Sequence, residues 1–546
     1  MLLETKGANR FKTRAYERGA RALEALSGDF DALVRGGRLR EVPGIGPALA
    51  ERITELHESG RSEMLERLRR ELPPGILELR DVPHLSRERI AALHESLGIR
   101  TLAELQAACE AGRLRTVKGF GEKTERKILE GIRALATREE RVLLYKAEDE
   151  AERALDYLRS SSAVKQTEAA GSVRRSVETV NNLDLVAASR SPARVLDHFV
   201  AYPLAVSTPE RDGNTASVRL AGGLSARLHV VPPKSFAAAL LLATGSARHL
   251  EKLQAMFGPK LETVLAEPAE SEAEIYGRLG LPEIPPELRE DEGEVEAAAA
   301  GTLPQDLVAV GDIQGLVHCH TVYSDGKHTV EQMARAAERM GMKYITITDH
   351  SPSAYYAGGL KLDRLHRQWK DIERAREKVG VELMRGTESD ILADGSLDYP
   401  DEVLKQLDVV IASIHNRHRM DADQMTRRLV RAMRQPVFKV WGHALGRYVL
   451  TRPPFACHME EVLEAVAASR AAVEINGDPH RLDMEPRWVR AARRRGIRFV
   501  ISTDAHSTGQ LENVRYGVAM ARRGWVRRGE VLNALPPDRF REEVRP

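Results

Sequence analysis

The sequence predicts a multidomain chain with a helical N-terminal region, a mixed α+β middle and a C-terminal α/β barrel. Three observations carry this. At 546 residues the chain is too long for one ordinary core. Its first 140 residues set leucines and alanines at helical spacing among many arginines. After Gly311, apolar strand-like runs alternate with amphipathic helical stretches, the pattern of parallel βαβ units.

Composition narrows the class. Hydrophobic content of 42% and charged content of 30% fit a soluble globular protein, and a net charge of +2 means that local features would have to hold any nucleic acid. The longest apolar runs, such as 236–243 (FAAALLLA), fall far short of a membrane span, so no membrane partner is expected. No charged n-region followed by an apolar stretch opens the chain, so export is not expected either. Three scattered cysteines (Cys109, Cys319, Cys457) make no disulfide framework and fit a reducing cytoplasm.

Within residues 1–140, the strings VPGIG (42–46) and VKGFG (117–121) share an apolar-x-Gly-apolar-Gly pattern, each followed by a helix-like stretch. This is the helix-hairpin-helix motif. Gly44, Gly46, Gly119 and Gly121 would let the hairpin backbone turn tightly and approach a DNA phosphate, with helix N-terminal amides as donors. Such contacts position a protein on DNA without reading its sequence. A third segment, 82–95 (VPHLSRERIAALHE), carries His84 and Ser86 where the glycines would stand and is expected only to pack.

Residues 141–287 mix helices with short strands near 183–187 and 227–231. The acidic, alanine-rich stretch 288–303 (LREDEGEVEAAAAGTL) reads as a linker extending to residue 310. From 311 to 546, strand-like runs fall near 315–319, 344–348, 381–385, 407–412, 437–441, 471–475 and 498–502. Helical stretches at 329–340, 363–379, 422–434, 459–469 and 486–495 stand between most of them. Seven such strands suit a closed or nearly closed barrel.

The ends of these strands carry the chemistry. His318 and His320 end the first, with Asp325 just beyond; His350 ends the second; Glu388, His415 and His443 follow the third, fourth and fifth; Asp504 and His506 end the last. In an α/β barrel the carboxyl ends of the strands share one rim, so ligands distant in sequence converge there. Strand alternation puts His318 and His320 on one side and Cys319 on the other, which makes Cys319 a packing residue. Nine candidates exceed the three protein ligands of one catalytic zinc, and imidazole with carboxylate suits manganese, zinc or iron. The surplus implies two or three divalent ions, an arrangement suited to phosphoryl hydrolysis.

The strings GLVHCHTVYSDG (315–326), ITITDHS (345–351), GTESDI (386–391), SIH (413–415), GH (442–443) and STDAHS (502–507) resemble the polymerase-and-histidinol-phosphatase (PHP) family. That resemblance implies a distorted seven-stranded barrel with a trinuclear centre. Carried over position by position, its ligands are His318, His320, Asp325, His350, Glu388, His415, His443, Asp504 and His506, with His318, His320, Glu388, Asp504 and His506 central to catalysis. Arg417 and His418 are candidates for a substrate phosphate or for a solvated loop.

Residues 171–185 (GSVRRSVETVNNLDL) resemble the nucleotidyltransferase palm of family X DNA polymerases, and TASVRL (215–220), VVPPKSFAAAL (230–240), TGS (244–246) and LGLPEIPPELRE (279–290) extend the match. The whole chain thus resembles the bacterial family X polymerases that carry a PHP domain, with Met1 falling near that family's second helix. The implied division is a helical DNA-binding region (1–140), a palm (141–232), a thumb-like part (233–287), a linker (288–310) and the PHP barrel (311–546).

The palm departs from the pattern. Family X places two aspartates, one residue apart, on one strand and a third on the neighbouring strand; here those positions hold Asn182, Asp184 and Arg227. Asn is a weak magnesium ligand, and Arg227 would repel a dication by several kcal/mol at ~5 Å and an effective dielectric of about 20. A nearby acid, Glu178 or Asp212, would have to substitute. The family's Tyr-Phe before Thr-Gly-Ser is here Leu242-Ala243. Ser172 and Arg175, at the triphosphate-contacting positions, with Asp184, remain as a cofactor-binding remnant, and magnesium is not expected at the palm. The resemblance then implies a metal-dependent DNA phosphodiesterase: 3′→5′ exonuclease, 3′-end processing or abasic-site cleavage in DNA repair. It would work as a monomer on gapped, nicked or 3′-ended DNA in the cytoplasm, at the nucleoid. The alternatives are a gap-filling polymerase, a small-molecule phosphatase of histidinol phosphate type and a non-catalytic DNA scaffold.

Overall fold

A computed structural model of the chain describes residues 30–42, 44–59, 85–137, 141–206 and 210–545, with a few scattered positions before residue 85. Pro43 of the first hairpin and His84 of the third segment lie outside the described residues. The chain forms two compact units, Met1–Glu139 and Glu140–Pro546.

In the first unit the two glycine hairpins share one geometry. A short turn (Leu39–Glu41, Leu114–Thr116) leads to a helix (Pro47–Ser59, Glu122–Thr137). Ile45 N donates to Val42 O and Phe120 N to Val117 O, both at 3.0 Å. Gly44 and Gly119 take φ of +100° and +93°, a region that favours glycine. A Cβ on Gly46 or Gly121 would meet nothing within 4 Å, so the fold itself does not require glycine there. Helix Arg87–Leu97 buries Ile90 and Leu93 in one cluster with Val117, Phe120 and Ile128.

The second unit opens on β1 (Val142–Leu143), paired antiparallel with β3 (Thr179–Val180). A five-stranded sheet follows, made of β2 (Gln166–Ala169), β4 (Asn182–Ala188), β5 (Glu210–Asp212), β6 (Thr215–Arg219) and β7 (Ser225–Val231), in the order β2-β4-β7-β6-β5. Helices Leu144–Arg159 and Pro192–Val200 turn Leu144, Leu155, Leu158, Val195 and Phe199 into the core beneath it.

The stretch 288–310, expected as a linker, is folded. It forms helix Glu294–Ala299, and Leu288, Val295, Ala298 and Leu303 pack in one cluster with Leu241, Leu253 and Tyr276. Arg289 is fully buried, donating to Ile284 O at 2.8 Å and Glu272 Oε1 at 2.5 Å. The acidic and alanine residues that resembled a linker surround this spaced apolar set.

The barrel strands are β8 (Gly315–Leu316), β9 (Tyr344–Ile347), β10 (Glu382–Asp390), β11 (Val409–Ser413), β12 (Val440–Trp441), β13 (Ala472–Asn476) and β14 (Phe499–Ser502). All are parallel and pair in sequence order. The last meets the first just beyond their ends, where His320 N donates to Ala505 O (2.8 Å) and Ala505 N to His318 O (3.2 Å). Helices Val330–Arg339, Leu362–Arg376, Ala422–Met433, Met459–Ala467 and Pro486–Arg493 stand between strands. Palm and barrel share one continuous cluster of buried side chains. Glu178 of the palm joins them further, pairing with Arg523 and with Arg447 (3.4 Å) of the barrel.

Candidate metal centre and palm site

The parallel strands deliver all nine barrel candidates to one rim. The ligand atoms of eight of them fall into three overlapping groups: His320, Asp325, His350 and His506; His318, His320 and Asp504; His350, Glu388 and His415; His443 joins them through Glu388. Within each group the atoms lie within 4.8 Å of one another, and His320 and His350 each belong to two groups. Glu388 sits at the centre. Its Oε1 lies 2.8 Å from His443 Nε2 and 3.1 Å from His415 Nε2; its Oε2 lies 2.9 Å from His350 Nδ1 and 3.5 Å from both His318 Nε2 and His320 Nε2. Asp325 and His506 form the open side, while His318, His320 and Glu388 are almost wholly buried. Gly326 is required for this: a Cβ there would stand 2.6 Å from the His320 and Thr321 backbone.

The electrostatics belong to a cage of mutually charged groups. Burial opposes a charge on His318, His350, His415 and His506, but neighbouring carboxylates outweigh it, raising His350 to about 10 and His506 to about 9. Burial and the adjacent His506 and His350 push His320 down to about 3. Burial would raise Glu388 and Asp504, yet the surrounding imidazoles hold both well below the carboxylate range. The donor set fits divalent metals. His318 Nε2, His320 Nε2, His350 Nδ1 and Glu388 Oε2 are buried and, although carboxylate and imidazole atoms approach one another, none makes a well-aligned hydrogen bond, a cost that a bound cation removes. His443 and Asp504 hold φ of +25° and +50°, strain concentrated at this rim.

A supporting shell went unread in the sequence. His318 Nδ1 lies 2.6 Å from Glu474 Oε1, and His415 Nδ1 lies 2.5 Å from Asp390 Oδ1, so each ring is fixed from behind by a carboxylate. Arg481 Nε stands 3.2 Å from Asp504 Oδ2. Asp349 accepts from Thr321 N (2.8 Å), Thr321 Oγ1 (2.6 Å) and Gln368 Nε2 (2.6 Å), which locks the loop leading to Asp325. An acid inside the apolar strand AVEIN (472–476) was the available signal for Glu474. Cys319 faces away into the apolar cluster. His418 stacks on Phe455 (6.4 Å) and is pushed down to about 4 by burial and Arg452, whereas Arg417 is exposed at φ +54°.

In the palm, β4 and β7 place Asp184 opposite Arg227. Asn182 Nδ2 donates to Asp184 Oδ2 at 2.8 Å. Arg175 donates to Glu290 (2.8 Å) and Thr244 O (2.7 Å), and its Nη2 lies 3.4 Å from Ser172 Oγ. The two candidate substitute acids have other places in the fold. Glu178 is held by Arg523 and Arg447, and Asp212 lies on β5, three strands from β4 and so about 14 Å away.

Comparison with known proteins agrees with this architecture. Residues 1–62 match the helix-hairpin-helix domain, 76–134 the SAM-like helix-hairpin-helix tandem and 317–477 the PHP domain. The barrel is 32% identical over 207 residues to a protein of Caldanaerobacter subterraneus named probable phosphatase, covering 35% of this chain and 74% of that one. A protein of the same name from a Thermoanaerobacter species is 27% identical over 234 residues, 40% of this chain and 88% of its own. The DNA polymerase/3′-5′ exonuclease PolX of Bacillus subtilis is 33% identical over 546 aligned residues, 97% of this chain and 95% of that protein. With that likeness running through both hairpins, palm and barrel, the chain belongs to the bacterial family X DNA polymerase/3′-5′ exonucleases that carry a PHP domain.

Proposed function

We propose that the chain is a DNA-repair phosphodiesterase whose barrel hydrolyses 3′ ends with two or three divalent ions, manganese or zinc with iron a further candidate, while its palm no longer polymerises. The observation that carries it is the contrast between the two sites. The barrel aims unpartnered buried nitrogens and a carboxylate oxygen at one space. The palm sets a guanidinium across from its one remaining carboxylate. When bound, the metals would supply an activated water and neutralise the phosphate charge. Around them Glu388 bridges the histidine rings, Glu474 and Asp390 orient His318 and His415, and Arg481 steadies Asp504. The four hairpin glycines would hold the DNA backbone irrespective of sequence, and the polymerase/exonuclease name of the Bacillus subtilis relative supports DNA as substrate. Abasic-site cleavage and work at the nucleoid are part of the same proposal.

The test pairs two assays on the purified protein. With manganese and no nucleotides, a labelled 3′ end should be degraded, and His318→Ala should abolish this and lower bound metal. With nucleotides on gapped DNA, neither magnesium nor manganese should support extension; robust extension that disappears in Asp184→Ala would refute the inactive palm. The name probable phosphatase of the Caldanaerobacter and Thermoanaerobacter relatives favours a second reading, which we take as a small-molecule phosphatase. Rapid hydrolysis of histidinol phosphate with intact DNA ends would select it.

A further inference from the structure

The loop after His350 carries two tyrosines to which neither the metal cage nor the core gives a role. Tyr355 is 84% exposed and Tyr356 62%, the two most exposed large hydrophobic side chains among the described residues. They form the tip of the turn Tyr355–Ala357, with ring centroids 6.0 Å apart at 79°. Exposed apolar side chains are common singly, but two adjacent aromatics at one loop tip make a small patch of the kind that binds ligands.

The turn stands at the rim of the metal centre and is held there firmly. Leu360 N donates to His350 O at 2.8 Å, and Ser351 N donates to Glu388 O at 3.0 Å, so both ends of the loop are tied to candidate ligands. Ser353 donates through N and Oγ to Asp398, each at 2.6 Å. Gly359 packs so closely that a Cβ would stand 2.0 Å from Ser351 O, and one on Gly358 would stand 3.5 Å from Ser324 O, next to Asp325. Burial, then the negative charges of Asp390, Glu388 and Asp325, raise the pKa of the Tyr356 hydroxyl, which places that ring near the metal-binding rim. Across the rim, the guanidiniums of Arg452 and Arg481 each stack 4.4 Å from the Tyr448 ring centroid.

A rigid pair of aromatic faces beside a phosphodiester-cleaving centre fits one occupant by its chemistry. We propose that Tyr355 and Tyr356 form the stacking platform for the base of the terminal nucleotide, so that the site takes DNA ends whose last base is unpaired. The proposal rests on the 3′-end reading above. Stacking serves every base, because each has a π face, and so matches the sequence-neutral binding expected of the hairpins. The pair adds adhesion at little entropic cost, since tyrosine has only two side-chain torsions. A fully paired end would first have to unstack its last base to reach the rings.

The experiment uses the full-length, metal-free protein with a single-stranded oligonucleotide bearing 5-iodouracil at its 3′ terminus. On irradiation, crosslinks mapped by mass spectrometry should fall on Tyr355 or Tyr356. They should be lost in the Tyr355→Ala/Tyr356→Ala double variant and kept in Tyr355→Phe/Tyr356→Phe. With manganese, the alanine pair should raise KM for a base-bearing single-stranded end about tenfold while kcat moves less than twofold. Wild-type preference for a base-bearing over an abasic terminal residue should collapse towards one in the same variant, at unchanged metal content. Terminal crosslinks that map elsewhere, or that persist undiminished in the alanine pair, overturn the platform. Crosslinks at the tyrosines in a protein that leaves DNA ends intact with manganese would instead keep the platform and refute hydrolysis.

Discussion

Glu474 offers a decisive perturbation of the metal centre, because it touches the cage only through other residues. Its Oε1 receives His318 Nδ1 and Ser502 Oγ, both at 2.6 Å, and its Oε2 receives Asn476 Nδ2 at 3.1 Å and the His443 backbone amide. All four partners are donors. Glu474→Gln preserves the volume but leaves one oxygen and one NH2, so in either amide orientation two donors face a donor. The ring of His318 then loses the partner that fixes it, or the loop holding His443 loses its anchor. Loss of such a supporting carboxylate weakens metal binding about 10- to 100-fold, which is about 1.4 to 2.7 kcal/mol. The assay is manganese titration against a competing chelator, with stoichiometry read by mass spectrometry and thermal unfolding followed in parallel. If Glu474→Gln binds manganese as tightly as wild type while His318→Ala does not, the carboxylate only fills the core and the reasoning fails.

Three further outcomes are expected. Arg523 and Arg447 overcome burial to hold Glu178 at about 2, below its unfolded value, so its contribution is present above the unfolded pKa and lost as pH falls towards 2. Glu178→Gln should therefore cost about 3 kcal/mol of unfolding free energy at pH 7, with the deficit shrinking by pH 3; an equal deficit at both pH values would refute the pairing. Gly46→Ala with Gly121→Ala should weaken binding to gapped DNA at an unchanged melting temperature, since each Cβ has free space in the protein. Affinity should also fall steeply with salt, and wild-type binding by this double variant would make the hairpins purely structural. Cys319→Ala should cost on the order of 1 kcal/mol in packing and keep full metal content, and loss of metal would contradict its orientation away from the cage.

What the sequence made legible followed from periodicity. Strand–helix alternation after Gly311 and the position of each His, Asp and Glu at a strand end placed the nine rim residues, because a parallel barrel gathers strand ends whatever the loops do. What stayed hidden depends on partners far along the chain. His318 and Glu474 are 156 residues apart, and no local pattern announces their contact. Glu178 stood in the sequence only as an alternative palm acid, and its actual partners, Arg447 and Arg523, lie 269 and 345 residues further on. The stretch 288–310 failed for a related reason: Val295 and Ala298 are too few to signal a core until Leu241, Leu253 and Tyr276 close over them. Tyr355 and Tyr356 drew no notice because exposure cannot be counted from sequence.

That folded stretch bears on how a DNA end could pass between palm and barrel. A free coil of 23 residues would wander by about 26 Å, enough for a barrel to swing towards an end held at the palm. Here the same residues form a helix and a buried arginine, and Glu178 fastens the palm to the barrel through Arg447, in the loop after β12, and Arg523, at a helix end. The palm and the barrel therefore belong to one folded unit with a shared core and no free coil between them. Were a DNA end to pass from one to the other, the nucleic acid would have to supply the flexibility that this stretch does not.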